Sequence, residues 1–240
     1  MANFITKKIP NTLTCGNLLS GAIATVQALE GDFATAFLFI ILGAVFDFFD
    51  GMAARALDAH SPIGGELDSL ADDITFGLAP SAMLFALLQQ MPYPAFMKPI
   101  EEYFPYIAFV IAIFSALRLA KFNIDTRQKC SFIGLPVPAN ALFWASLIEG
   151  GSAYFTSSSP YFVILLAITA CIFSGLLISE IPMFSLKFKN LKWNNNKISI
   201  IFLVICILIL ALLKDLSFTA IVIWYILLSL FTQKKQKSEE

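Results

Sequence analysis

Residues 44–73 read AVFDFFDGMAARALDAHSPIGGELDSLADD, and this stretch joins two apolar segments through a polar connection. Asp47 and Asp50 end the first segment, whereas Asp68 and Asp72 begin the second. Because residues three or four positions apart share a helix face, each pair of aspartates lies on one face of its helix. The short connection predicts an antiparallel helix pair, in which the four carboxylates converge at one end.

The composition around this stretch is that of a membrane protein. Of the 240 residues, 58% are hydrophobic and 14% are charged, whereas about 25% are charged in an average soluble domain. So few charges could not cover that much apolar surface in water. The apolar content excludes a disordered chain, and a formal net charge of −1 excludes nucleic-acid binding driven by excess positive charge.

Apolar runs predict an all-α, polytopic transmembrane helix bundle of about eight spans, since each span needs about 20 apolar residues. In this arrangement only Lys98 and Lys214 lie on one side of the membrane, and the other fourteen of the 16 Lys and Arg residues lie opposite. Because cytoplasmic loops are enriched in Lys and Arg, both termini and the carboxylate cluster are predicted to be cytoplasmic. The predicted spans lie near residues 12–29, 33–54, 66–88, 105–122, 137–155, 160–180, 198–213 and 216–232.

The four aspartates require a counter-charge. Each intramembrane Asp costs roughly 2.5–3.5 kcal/mol, so four unpaired ones would cost on the order of 10 kcal/mol, and chance is a poor explanation for them. Mg²⁺ or Mn²⁺ takes oxygen ligands from carboxylates and substrate phosphates, and two such ions could fit. A cation transporter is the alternative, but it predicts acids spread through the membrane depth on several helices rather than clustered at one end of a helix pair.

The spacing of the fixed residues resembles the signature of the CDP-alcohol phosphatidyltransferase family. Eight fixed residues at fixed gaps within 26 positions match, which is a highly specific signal. The resemblance implies a membrane enzyme that moves a phosphatidyl group from a CDP-linked lipid to an alcohol and releases CMP. The matching pattern is Asp47-x2-Asp50-Gly51-x2-Ala54-Arg55-x8-Gly64-x3-Asp68-x3-Asp72.

The resemblance also implies a role for each of these residues. Asp47, Asp50 and Asp68 hold the metal ions that bridge the pyrophosphate. Asp72 completes the second metal site and acts as the general base on the acceptor hydroxyl. The resemblance assigns the CDP-lipid to three small residues and one arginine, namely Gly51, Ala54, Gly64 and Arg55. The arginine could pair with an aspartate or bind phosphate.

Four other segments resemble bacterial phosphatidylserine synthases of the family, which implies CDP-diacylglycerol and L-serine as substrates. Arg118 is the first candidate to hold the serine carboxylate, because it ends a predicted span within an apolar run, and Lys121 and Asn123 come next. Alternatively, Arg118 and Lys121 snorkel to the interface and set topology. The segments are PNTLTCGNLLSG (10–21), DSLADDITFGLAP (68–80), ALRLAKFN (116–123) and SFIGLPVPANA (131–141).

Other acceptors with the same chemistry stay open. Glycerol 3-phosphate or inositol phosphate would require a tighter cluster of basic residues beside the site. The whole chain is predicted to be one integral membrane domain, with a catalytic six-span core at 1–180 and a basic loop, two further spans and a tail at 181–240. Relatives of the family imply a homodimer in the bacterial inner membrane.

Overall fold

The computed structural model describes residues 8–59, 61–125, 132–183 and 193–236. Within these ranges the chain forms nine α-helices and one short antiparallel sheet. The sheet pairs β1 (Phe132–Ile133) with β2 (Pro182–Met183). The helices are α1 (Lys8–Glu30), α2 (Phe33–Ala56), α3 (Pro62–Asp72), α4 (Ala79–Gln90), α5 (Val110–Ile124), α6 (Val137–Ser157), α7 (Phe162–Ile178), α8 (Trp193–Leu213) and α9 (Ser217–Gln236).

Side-chain caps start the two helices that carry the aspartates. Asp32 accepts a hydrogen bond from the backbone amide of Thr35, 3.0 Å away, at the start of α2. Ser61 accepts one from the amide of Gly64, 3.1 Å away, at the start of α3. Each cap satisfies an amide that has no partner within its helix. The helix beginning at Pro62 therefore starts four residues before the predicted span at 66–88, because a proline at the first position and a serine cap extend it into the polar connection.

α3 continues into α4 through a π-helical turn, Asp73–Leu78. Such turns add one residue to a helix and are frequent at functional sites. Here the turn meets two other helices. The Thr75 hydroxyl donates to the Asn17 carbonyl of α1, 2.9 Å away. A Cβ added to Gly77 would lie 3.0 Å from the Ser115 Cβ of α5, so glycine permits that close approach.

Four helical stretches are long and apolar enough to cross a membrane, namely Phe33–Ala56, Ile63–Gln90, Phe104–Ile124 and Ser199–Phe231. Phe162–Ile178 is apolar but shorter. The last of the four stretches covers most of α8 and most of α9, which are joined by a 3₁₀ turn at Lys214–Leu216. The rings of Phe202 and Tyr225 are 6.2 Å apart, so these two helices fold back on one another. The all-α membrane architecture is confirmed, whereas the count of eight spans remains a prediction.

α4 is the centre of the bundle and packs against α1 and α6. Its residues Leu84, Leu87 and Leu88 are fully buried.

α9 is attached to α6 by two polar contacts of Thr219. Its hydroxyl donates to the Phe143 carbonyl over 3.1 Å, and its amide donates to the Ser146 hydroxyl over 3.2 Å. Most of the predicted basic loop between the sixth and seventh spans lies outside the described residues.

Candidate active site

Three of the four aspartates converge at the paired ends of α2 and α3. Asp47, Asp50 and Asp68 each offer one carboxylate oxygen, and the three oxygens lie within 4.8 Å of one another. At that separation two full charges repel by at least about 3 kcal/mol at an effective dielectric constant of 20. The cluster is therefore unfavourable without a neutralising partner.

The donor set fits a hard divalent cation. Mg²⁺ and Mn²⁺ prefer carboxylate oxygens, and the three side chains supply nothing else. Asp68 Oδ1 is buried and accepts no hydrogen bond from any described residue. A buried oxygen of this kind normally has a partner, and a metal ion would provide one.

Asp72 lies outside this trio, although it is one helical turn from Asp68. Only 9% of its surface is exposed, and Oδ1 accepts a hydrogen bond from Asn17 Nδ2 of α1 over 3.0 Å. The same helix supplies Thr14, whose hydroxyl lies 2.7 Å from Asp50 Oδ2. α1 therefore contributes a hydrogen-bond donor to one aspartate on each of the two helices that carry the cluster.

These two donors were missed as site residues by the sequence reasoning. A signal existed, because Asn11, Thr14 and Asn17 follow one another at intervals of three in a predicted membrane span. Polar residues at that interval share a helix face. Which partner they meet depends on how α1 packs, and the sequence pattern alone does not give that.

A cavity of about 310 Å³ opens beside the trio. A Cβ added to Gly51 would meet nothing within 4 Å, so this position faces open space. A Cβ on Gly64 would lie 3.0 Å from Asn11 Oδ1 and 3.0 Å from Ser61 Oγ, so glycine lets these groups approach. The cavity is lined by residues of α1, α2, α3 and the connection between α2 and α3: Pro10, Asn11, Thr14, Asp50, Gly51, Ala54, Arg55, Ala59, Ser61, Gly64, Gly65 and Asp68.

The three residues expected to hold the acceptor do not line this cavity. Arg118 is 5% exposed, its guanidinium lies 5.0 Å from the centre of the Phe122 ring, and its Nε has no hydrogen-bond partner among the described residues. Asn123 Nδ2 donates to Ser69 Oγ over 2.9 Å, which places the end of α5 beside the residue that follows Asp68.

Lys121 is engaged elsewhere. Its Nζ lies 2.7 Å from Glu180 Oε1, in an ion pair between the end of α5 and the segment after α7. The two side chains are 36% and 61% exposed, respectively. The ion pair is therefore partly exposed on the surface of the bundle, and the carboxylate of Glu180 already balances the ammonium.

Comparison with known proteins gives a consistent result. The sequence model of the CDP-alcohol phosphatidyltransferase family matches residues 7–178. A CDP-diacylglycerol–serine O-phosphatidyltransferase of Bacillus subtilis (strain 168) is 38% identical over 174 residues, which cover 72% of this chain and 88% of the relative.

Two further relatives are more distant. A CDP-diacylglycerol–serine O-phosphatidyltransferase of Helicobacter pylori (strain ATCC 700392 / 26695) is 28% identical over 219 residues, or 87% of this chain and 84% of that protein. An archaetidylserine synthase of Methanothermobacter thermautotrophicus is 28% identical over 160 residues, or 65% of this chain and 64% of that protein. With the family match covering more than half of its length, this chain, a transferase, belongs to the CDP-alcohol phosphatidyltransferase family.

Proposed function

We propose that the protein transfers the phosphatidyl group of CDP-diacylglycerol to the hydroxyl of L-serine, which gives phosphatidylserine and CMP. The observation that carries this proposal is the trio of convergent carboxylates with a cavity beside it, in a chain of this family. The serine acceptor is supported by the names of the relatives in Bacillus subtilis and Helicobacter pylori.

Asp47, Asp50 and Asp68 would hold two divalent cations, Mg²⁺ or Mn²⁺, with Asp72 completing the second site. When bound, such ions neutralise charge on the pyrophosphate and on the departing CMP. The chain itself contributes the carboxylates and their positions. Asp50 and Asp68 also line the cavity, so a bound pyrophosphate can lie against them.

Asp72 is the proposed general base. It accepts the proton of the serine hydroxyl while the hydroxyl oxygen attacks the phosphorus of the phosphatidyl group. As that bond forms, the bond from the phosphorus to the oxygen of CMP breaks, and the electron pair leaves with CMP. A base must lie within hydrogen-bond reach of the proton that it takes. Because only 9% of Asp72 is exposed, few water molecules can compete with the hydroxyl for this base.

The nucleotide part is assigned to the cavity. Its volume of about 310 Å³ lies at the lower end of the range for ligand pockets, roughly 300–1,000 Å³. Gly51, Ala54 and Gly64 leave room for the cytidine, and Arg55 supplies the positive charge on the lining. Arginine binds phosphate with two parallel hydrogen bonds, so Arg55 suits a nucleotide phosphate.

Arg118 is assigned to the serine carboxylate. It is a buried cation whose Nε lacks a partner within the described part of the chain. Asn123, which contacts Ser69 beside Asp68, would support the same subsite. Lys121 would act there only if it left Glu180, so Arg118 is the cation that the proposal depends on.

We also propose an orientation for the enzyme in the bacterial inner membrane. The predicted topology puts both termini and the site on the cytoplasmic face of the bacterial inner membrane, where CMP and serine are soluble. We further propose that residues 1–180 form the catalytic core and 181–240 an accessory part. The homodimer implied by relatives stays a prediction, which cross-linking in native membranes would check.

The test is CMP release from CDP-diacylglycerol by purified protein in detergent. Serine, glycerol 3-phosphate and inositol phosphate are compared, each with Mn²⁺, with Mg²⁺ and with excess chelator, beside an Asp72→Asn variant. Serine-dependent release that needs a metal and is absent in the variant is the expected result. Release with another acceptor alone would reject serine. If folded protein showed no metal-dependent release with any of the acceptors, the cation-transporter alternative would be supported.

A further inference from the structure

We infer that Asn17 and Thr14 of α1 are positioning residues for the two carboxylates that they contact. Asn17 sets which oxygen of Asp72 faces the acceptor hydroxyl, and Thr14 sets the orientation in which Asp50 meets its metal. The first half of this inference rests on the proposed role of Asp72 as base. The second half rests only on metal binding by the trio.

Asn17 is fully buried and makes two separate contacts with the helix that carries Asp72. Its side-chain amide donates to Asp72 Oδ1 over 3.0 Å, and its backbone carbonyl accepts from the Thr75 hydroxyl over 2.9 Å. A carboxylate only accepts hydrogen bonds, so the NH₂ group of Asn17 must be the end that faces it. With Oδ1 fixed by this bond, Oδ2 is the oxygen left to accept a proton.

Thr14 lies one turn before Asn17 on the same face of α1 and is 3% exposed. Its hydroxyl is 2.7 Å from Asp50 Oδ2 and 3.0 Å from the Pro10 carbonyl of its own helix. A threonine hydroxyl has a single hydrogen, and the shorter distance is to the charged acceptor. Asp50 is thereby held in one rotamer, with its second oxygen available to a cation.

The packing of α1 makes these contacts rigid. A Cβ on Gly43 of α2 would lie 3.0 Å from Asn17 Oδ1 and 2.5 Å from the methyl carbon of Thr75. A Cβ on Gly21 of α1 would lie 2.6 Å from Thr75 Cα. Glycine at both positions lets the three helices approach closely, and Asn17 sits where they meet. Hydrogen bonds behind the ligands of a metal site commonly change affinity or activity by 10–100-fold when removed.

The experiment compares single variants of the full chain in detergent. Asn17→Leu keeps the branching and approximate volume but removes the donor, and Asn17→Ser is the second variant in case Asn17→Leu does not fold. Thr14→Val removes the hydroxyl, and Thr14→Ser restores it. Thr25→Val is the matched control, because the Thr25 hydroxyl donates to the Gly21 carbonyl of its own helix over 2.9 Å. Each variant is measured for kcat, for KM and for Mn²⁺ binding without substrate by electron paramagnetic resonance.

For Asn17→Leu we expect kcat to fall by about 10–100-fold, while both KM values change by less than about threefold. The affinity of the Asp47, Asp50 and Asp68 trio for Mn²⁺ should also stay within about threefold, because the side chain of Asn17 bonds to Asp72 and not to the trio. Thr14→Val is expected to weaken Mn²⁺ binding by about 10-fold, with activity recovered at saturating Mn²⁺ and affinity recovered in Thr14→Ser. Thr25→Val should match the wild-type protein.

Several results would overturn the inference. One is a folded Asn17→Leu or Asn17→Ser protein with wild-type kcat. Another is a loss of kcat that follows the loss of folded protein or of bound Mn²⁺. Unchanged Mn²⁺ binding by Thr14→Val would contradict the inference that Thr14 orients Asp50 toward its metal. Failure of the proposed function would look different, since wild-type protein would then release no CMP with serine, and the Mn²⁺ binding of Thr14→Val would still test Thr14.

Discussion

Replacing Gly21 with alanine tests whether close packing of α1 sustains the site. The new Cβ would lie 2.6 Å from Thr75 Cα and 2.8 Å from its amide nitrogen. Carbon atoms are best separated by about 3.5–4.0 Å, so α1 would have to move away by about 1 Å. The nearest neighbour is the hydroxyl oxygen of Thr75, and the other two atoms belong to the backbone of the π-helical turn and cannot rotate aside.

That displacement has two consequences. Overpacking costs roughly 1–3 kcal/mol of stability. The bond from Asn17 Nδ2 to Asp72 Oδ1, now 3.0 Å, would stretch to about 4 Å, beyond the usual limit of about 3.2 Å for a hydrogen bond. We therefore expect lower stability together with a fall in kcat of about 10-fold or more.

Gly175→Ala is the matched control, because a Cβ at Gly175 in α7 would meet nothing within 4 Å. Both changes gain the same helix propensity, about 1 kcal/mol. The difference between them in thermal unfolding in detergent therefore isolates the overpacking, and it should be roughly 2–12 °C. Equal midpoints and equal kcat for the two variants would refute the reasoning, since they would mean that α1 can shift without disturbing Asp72.

Four further outcomes are expected. Asp68→Asn should raise the Mn²⁺ concentration needed for half-maximal activity by 10-fold or more, and chelation of the metal should stop CMP release by the unaltered protein. Arg118→Met should raise the KM for serine by about 10-fold and leave that for CDP-diacylglycerol unchanged; equal effects on both substrates would contradict a carboxylate subsite. Lys121→Met and Glu180→Gln should each change the unfolding midpoint little, because an exposed ion pair contributes about 0–1 kcal/mol. A large rise in the KM for serine in Lys121→Met would show instead that Lys121 binds substrate. The backbone amide of Thr35 holds the pKa of Asp32 below its ordinary value. The cap therefore stabilises α2 fully at pH values above the ordinary pKa of Asp, and this stabilisation is lost as pH falls through the lowered pKa. Asp32→Asn should remove this acid dependence, as followed by circular dichroism.

The aspartate cluster could be predicted from sequence because its information is local. Asp47, Asp50 and Asp68 lie within 22 positions, and helix periodicity with a short connection is enough to bring them together. The membrane class followed in the same way from composition. Both kinds of inference use properties of neighbouring residues, which do not depend on how distant helices pack.

What was missed depends on distant partners. Thr14 and Asp50 are 36 positions apart, and Lys121 and Glu180 are 59 apart. The ion pair of Lys121 was not foreseen, because a lysine at a helix end is compatible with lipid phosphate, substrate or any acid nearby. The π-helical turn at Asp73–Leu78 was not foreseen either. An added residue rotates the following side chains by about 100°, but α4 is buried on nearly all sides and has no polar face whose displacement would show it.

The position of the site along the chain has a consequence for biosynthesis. Thr14 and Asn17 lie in α1, so each hydrogen-bond donor leaves the ribosome before the carboxylate that it contacts, Asp50 or Asp72. Chains are made and fold from the N-terminus. Each of these two acids therefore enters the bilayer next to a helix that already carries its partner, which lowers the cost of inserting a carboxylate into lipid. The order of synthesis thus favours assembly of the site while the rest of the bundle is still being made.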